Sequence, residues 1–167
     1  MITPDWVRMM AAYNAEMNRR LYAAAARLPE EARTRDRGAF WGSIEGTLNH
    51  LLWGDRVWMA RFAGWPKPAQ RLPESAAMAP DFPALRAARI EADEGIATWA
   101  ATLDADWLAG DMRWLSGAAR REVSAPRALL VTHLFNHQTH HRGQVHAMLT
   151  AAGEATGDTD LFLVVGY

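Results

Sequence analysis

With 167 residues, 50% of them apolar and 22% charged, the chain is not disordered and needs no staples. At this length a single domain spanning residues 1–167 buries roughly two-thirds of its unfolded surface. Eighteen Lys and Arg against 19 Asp and Glu give a net charge of -1, scattered too thinly for a phosphate-tracking face, and the absence of cysteine removes disulfides, thiolate ligands and a cysteine nucleophile together.

Met1–Trp6 lacks the basic start and apolar run of a secretory signal, so the expected address is the cytoplasm. Thr3 as N-cap and Pro4 at the first helical position open a long first helix. In it Trp6, Met9, Met10, Tyr13, Met17, Leu21 and Leu28 recur at helical spacing up to Pro29. A polar, arginine-rich connection follows from Glu30 to Gly38. Ile44, Leu48, Leu51, Trp58 and Phe62 then mark a second helix that stops at Gly64-Trp65-Pro66. Its other faces carry Leu52, Trp53, Val57 and Met59, and a helix apolar nearly all round is buried on more than one side, centrally in a bundle or at a subunit contact. His50, Asp55, Arg56 and Arg61 interrupt this best candidate for a membrane span, which needs roughly 18 apolar residues. Neither a membrane nor a nucleic acid is an expected partner.

Four prolines make Pro66–Pro80 a loop, and Asp81 caps a third helix carrying Leu85, Ile90, Ile96, Trp99 and Leu103. Met112, Trp114 and Leu115 before Gly117, with Val123 after it, are compatible with a short hairpin. Ser124 is the expected cap of a fourth helix, with Pro126 in its first turn and its end near Gly153. The apolar tail Leu161–Val165 is expected to pack back on the body. The fold class these elements predict is all-α, an up-down four-helix bundle with a short hairpin before the last helix. Eight tryptophans are expected to supply much of its core volume.

Five of the six histidines, His133, His137, His140, His141 and His146, fall in the fourth helix, and His50 lies in the second. Leu130, Leu134, His137, His141, Gln144 and Met148 step by four and three and form one stripe. Two imidazoles buried one turn apart lack hydrogen-bond partners and repel each other when charged, and a divalent cation resolves both problems. The i, i+4 spacing is that of HExxH metalloproteases, but Gln138, Thr139 and His140 stand between and no glutamate supplies a general base. A third donor must come from another helix, and His50 is the candidate by elimination, although it lies about 120° from the apolar stripe of its helix. A solvated histidine-rich face between 133 and 141 remains the alternative at this point. His133 and His140 sit off the stripe and suit supporting or surface roles, and His146 is expected to be exposed. Gly143 in mid-helix suggests close helix approach or space for a ligand. Asp55, on the apolar stripe, is expected to pair with an arginine or another donor near the site.

Tyr13–Tyr22, Arg37–Ile44, the run Gly46-Thr47-Leu48-Asn49-His50-Leu51-Leu52-Trp53-Gly54-Asp55 and Val131–Gln144, with its His137-Gln138-Thr139-His140-His141-Arg142-Gly143-Gln144, together resemble the DinB family, a damage-inducible family of helical bundles. The resemblance covers nearly the whole chain. It implies an up-down four-helix bundle, often dimeric, so a homodimer is expected. It also implies a divalent metal held by one histidine on the second helix and an HxxxH pair on the fourth, here His50, His137 and His141.

Relatives in the wider superfamily include thiol S-transferases and a thiol-dependent maleylpyruvate isomerase. The function so implied is that of a divalent-metal-dependent enzyme acting on a small molecule with a low-molecular-weight thiol as cosubstrate, a thiol this cysteine-free chain must take from solution. The alternative is a non-enzymatic metal-binding or stress-response protein. Imidazole suits zinc, nickel, copper and iron, and zinc or nickel is the expected ion.

Overall fold

The computed structural model describes residues 2–117 and 119–166; Ala118, in the turn of the expected hairpin, lies outside them. Helix α1 (Pro4–Arg27) opens where the sequence places it, with Thr3 Oγ1 accepting from Trp6 N at 3.2 Å and Pro4 in the first turn. The polar connection contains a helix of its own, α2 (Glu30–Thr34), which starts after Pro29. Helix α3 (Ile44–Phe62) is capped by Ser43, whose Oγ accepts from Gly46 N at 3.0 Å. The proline-rich stretch winds into a 3₁₀ turn (Leu72–Ala77) before α4 (Phe82–Thr102), where Asp81 Oδ1 accepts from Ala84 N at 2.8 Å.

A short α5 (Ala105–Ala109) leads into β1 (Asp111–Ser116) and β2 (Arg121–Pro126), an antiparallel pair with Trp114 opposite Val123. The chain closes with α6 (Arg127–Ala151) and α7 (Leu161–Val165). The fold is therefore mostly helical with one small two-stranded sheet. Helix α1 packs on α4 and α6, α3 packs on the same two, and α7 returns to α1. No helix among the described residues is long and apolar enough to cross a membrane.

The all-round burial expected of α3 is met within the chain. Every residue from Gly46 to Leu52 is buried, because α2 and the 3₁₀ turn cover the side that α4 and α6 leave open. Two apolar clusters flank the middle of the molecule, one around Leu48, Leu52, Leu85 and Leu149 and one around Val7, Met59, Ile96 and Phe135.

Three expectations need correcting. Ile90 is 53% exposed, and Arg89 takes the inward position instead, in line with Phe82, Leu85, Ala92 and Ile96. Ser124 does not cap a helix: it lies in β2 opposite Arg113, and α6 begins three residues later behind Pro126 with no side-chain cap. Of the eight tryptophans Trp99 alone is buried, and the other seven are half-buried around the rim of the core.

Asp55 finds the partner the sequence asked for. Arg89 Nη1 donates to its Oδ2 at 2.6 Å with both side chains buried, and Arg89 Nη2 lies 2.9 Å from Asp93 Oδ1, which also accepts from Asn18 Nδ2 at 2.9 Å. The two acids hold the Arg89 pKa above its ordinary value against the opposing effect of burial. Beside this cluster Arg142 is buried and donates to Asn14 Oδ1 and, at 3.4 Å, to Gln138 Oε1. Burial lowers its pKa to about 10, so it is still cationic at neutral pH.

Candidate metal centre

The i, i+4 spacing on α6 brings His137 and His141 to one face, ring centroids 4.6 Å apart, and α3 presents His50 between them at 5.2 Å and 4.8 Å. One ring nitrogen from each of the three lies within 4.8 Å of the others, so the group could hold a metal ion. His50 is 4% exposed and His141 7%, while His137 is half-buried. His50 escapes solvent despite its place on the helix wheel because Trp41 stacks on its ring at 3.9 Å and the 3₁₀ turn lies behind it. Trp53, anchored by its Nε1 donating to Gln70 O at 2.8 Å, stacks 5.7 Å from the same ring.

The hydrogen bonds fix which nitrogens face inward. His141 Nδ1 lies 2.7 Å from Gln144 Oε1, an acceptor, so the proton sits on Nδ1 and the lone pair on Nε2. His50 Nδ1 is engaged with Ser75 Oγ at 2.9 Å. His50 Nε2 meets His137 Nε2 at 3.1 Å, where two neutral imidazoles can share one proton at most, and among the described residues the buried His137 Nδ1 has no hydrogen-bond partner. Burial pushes the His50 pKa down to about 4, with His141 adding to the effect. Burial, then the neighbouring His141 and His50, takes His137 down to about 3, and burial lowers His141 as well. All three rings are therefore neutral at neutral pH, the form in which imidazole is a ligand. Three neutral nitrogen donors from two helices, with outer nitrogens held by a hydroxyl and an amide, match the donor set and the supporting shell of a tri-histidine metal site.

A model of the DinB family matches residues 1–165 of the 167-residue chain. The chain belongs to the DinB family. No curated protein and no solved structure matches it.

The geometry of this DinB chain separates the histidines that the sequence left as alternatives. His133 and His140 are exposed and outside the group of three; His133 lies edge-on to Trp58 at 5.2 Å, and the His140 ring is 4.8 Å from that of His141. His146, expected in solvent, is half-buried and shares a hydrogen bond of 2.7 Å with Thr156 Oγ1. Nothing lies within 4 Å of where a Gly143 Cβ would stand, so close helix approach does not explain that glycine.

Four DinB site residues carried no role in the sequence reading. Ser75 and Trp41 come from stretches without periodicity and had no signal. Gln144 was on the stripe, one turn beyond His141, and its acceptor role was legible from that spacing. Gly54 stands one turn after His50, and a Cβ there would lie 2.9 Å from His137 Cε1, so the ring seats on bare backbone.

Proposed function

We propose that this DinB protein is a divalent-metal-dependent enzyme that employs a low-molecular-weight thiol from solution, with His50, His137 and His141 as the metal ligands. The observation that supports the reading is the convergence of three neutral imidazoles whose outer nitrogens on His50 and His141 are already engaged, leaving lone pairs and one orphaned buried nitrogen on His137. On this reading α1, α3, α4 and α6 form the family's up-down four-helix bundle in one domain, which works as a homodimer in the cytoplasm on a small-molecule substrate.

Zinc and nickel both suit three imidazoles. A divalent cation bound there with an open position supplies Lewis acidity, which lowers the pKa of a thiol and makes its sulfur nucleophilic at neutral pH. Ser75 and Gln144 engage the outer nitrogens of His50 and His141 and so orient both rings. Trp41 and Trp53 keep water from the His50 ring. The half-buried edge at His137 is the side from which thiol and electrophile arrive.

Elemental analysis of tag-free protein tests the ligand set. About one divalent ion per chain is expected in the wild type and none in His50→Ala, His137→Ala or His141→Ala. Full stoichiometry in any one variant removes that residue from the set, and a metal-free wild type defeats the proposal. Turnover of small electrophiles that requires added thiol and disappears in His137→Ala separates the enzyme from a metal-storage protein, which would bind the ion and turn over nothing.

A further inference from the structure

A second polar concavity lies on another flank of α6, away from the three histidines. It is a cavity of about 240 Å³ between α1 and α6, lined by residues of both helices and by Thr156 and Thr159 of the segment that follows α6. That segment is tied down as a roof: Tyr13 OH donates to Thr159 O at 2.6 Å, Arg20 Nη1 to Asp158 O at 3.0 Å, and Arg27 Nη2 to Ala155 O at 3.1 Å. The volume falls below the roughly 300–1,000 Å³ of pockets for drug-sized ligands, so the space suits something smaller.

Its lining is asymmetric in charge. Arg20, Arg142 and His146 contribute basic groups, and among the described residues no acidic side chain lines it. Among the described residues Arg142, only 5% exposed, has no carboxylate within ion-pair distance; its hydrogen-bond partners there are the neutral Asn14, Gln138 and Thr139. The interior acids Asp55 and Asp93 are committed to Arg89. Arg20 has Glu16 at 2.7 Å, but that one carboxylate also serves Arg19. A buried guanidinium facing neutral groups keeps donors in reserve for an anion, and its planar fork matches a carboxylate. On the α1 side Tyr13, Met17 and Leu21 supply apolar surface, and the Arg142 guanidinium lies 5.6 Å over the Tyr13 ring. Gly143 opens the floor, since the place of its missing side chain is empty space.

We propose that this cavity is a binding site for a small carboxylate with a short apolar tail, the anionic end held by Arg142 and Arg20 and the tail lying on Tyr13, Met17 and Leu21. The site is independent of the metal centre, and its test does not depend on the activity proposed above.

Calorimetric titration with sodium hexanoate, with hexanol and inorganic phosphate as comparison probes, reads the proposal directly. Saturable one-to-one binding of hexanoate is expected in the wild type. Hexanol should bind at least about tenfold more weakly, for want of the charge-assisted hydrogen bonds. Phosphate, which has no tail, should also bind more weakly.

Gly143→Leu places its Cβ in open space at the floor of the cavity and replaces a mid-helix glycine, so it should fold and lose binding. Arg20→Gln should weaken binding severalfold, and Arg142→Met should abolish it if the variant folds. His137→Ala is the control for carboxylate on the histidine-bound ion and should bind hexanoate unchanged. The proposal is overturned if the wild type does not saturate, if hexanol or phosphate matches hexanoate, or if binding survives Gly143→Leu but not His137→Ala.

Discussion

Two buried polar clusters each draw a member from α3, His50 in one and Asp55 in the other, and they satisfy themselves in opposite ways. In the interior cluster the groups are charged and complementary: Asp55 and Asp93 face Arg89, and Asn18 caps Asp93. Asp55 Oδ1 accepts no hydrogen bond, but its charge is held by a guanidinium 2.6 Å from its sister oxygen. In the histidine cluster all groups are neutral and of one kind, so His50 Nε2 and His137 Nε2 face each other at 3.1 Å with one proton between them at most. The first arrangement balances its charges within the chain, although Arg89 Nε and Nη2 also make no hydrogen bond, and it belongs to the fold. The second is incomplete without something from outside, and that incompleteness marks a site.

The difference is broken most severely by removing one member of the charged cluster. Asp55→Ala leaves Arg89 buried without its closest counter-ion, and a loss of about 3–5 kcal/mol of stability is expected from urea denaturation. His137→Ala in the metal-free protein removes a neutral ring with an unpartnered nitrogen and should cost much less. Equal losses would mean that the histidines are structural after all.

Acidification separates the clusters next. The pKa values of about 4 for His50 and about 3 for His137 lie below the unfolded value of about 6.5. Below pH 6.5 the unfolded state therefore binds protons that the folded state refuses. The metal-free protein should hold its stability above pH 6.5 and lose it as pH falls toward 4, by at most about 1.4 kcal/mol per pH unit for each of these histidines. The slope should be shallower in His137→Ala. An unchanged slope would deny that burial keeps this ring neutral. Metal retention should follow the same displacement: protons compete poorly for these rings, so the ion should leave below about pH 5 rather than at the ordinary histidine pKa.

How far the sequence alone reaches depends on whether a feature is local. Thr3 and Asp81 cap the helices they were expected to cap, because a cap is decided within four residues. The His137–His141 pair was legible from spacing, and the need of Asp55 for a cation followed from its place on an apolar stripe. Arg89 was not legible as its partner. Ile90 next to it fits an apolar pattern better, and only the long-range pair with Asp55 turns α4 so that the arginine faces in. Ser75 and Trp41 reach His50 from irregular chain, where no period points a side chain anywhere. The tryptophans were read as core filling, yet their half-burial reflects work at edges, with Trp41 and Trp53 against His50 and Trp58 against His133.

Gly54→Ala sharpens the comparison by decoupling stability from binding. The added Cβ would stand 2.9 Å from His137 Cε1, the far end of a movable side chain, so the ring should swing rather than the helix. Helix propensity gained by alanine, about 1 kcal/mol, offsets much of the crowding. Thermal stability should change little while metal affinity falls toward 100-fold, the upper range for a disturbed supporting shell. A large drop in stability with metal affinity intact would place His137 in the core instead of at the ion.

The smallest effect should come from Ser75→Ala, and it asks what holds the His50 ring in place. The hydroxyl at 2.9 Å from Nδ1 restrains the rotation of the ring and its tautomer, whereas the stacked Trp41 fixes only the plane of the ring and is indifferent to which nitrogen carries the proton. Losing the hydroxyl strands a buried ring nitrogen at a cost of about 1 kcal/mol and frees the tautomer, so metal affinity should fall toward 10-fold. Ser75→Thr, which keeps the oxygen, should restore it. If Ser75→Ala binds the ion as tightly as the wild type, stacking alone positions His50, and the proline-rich turn that carries Ser75 serves only to cover the ring.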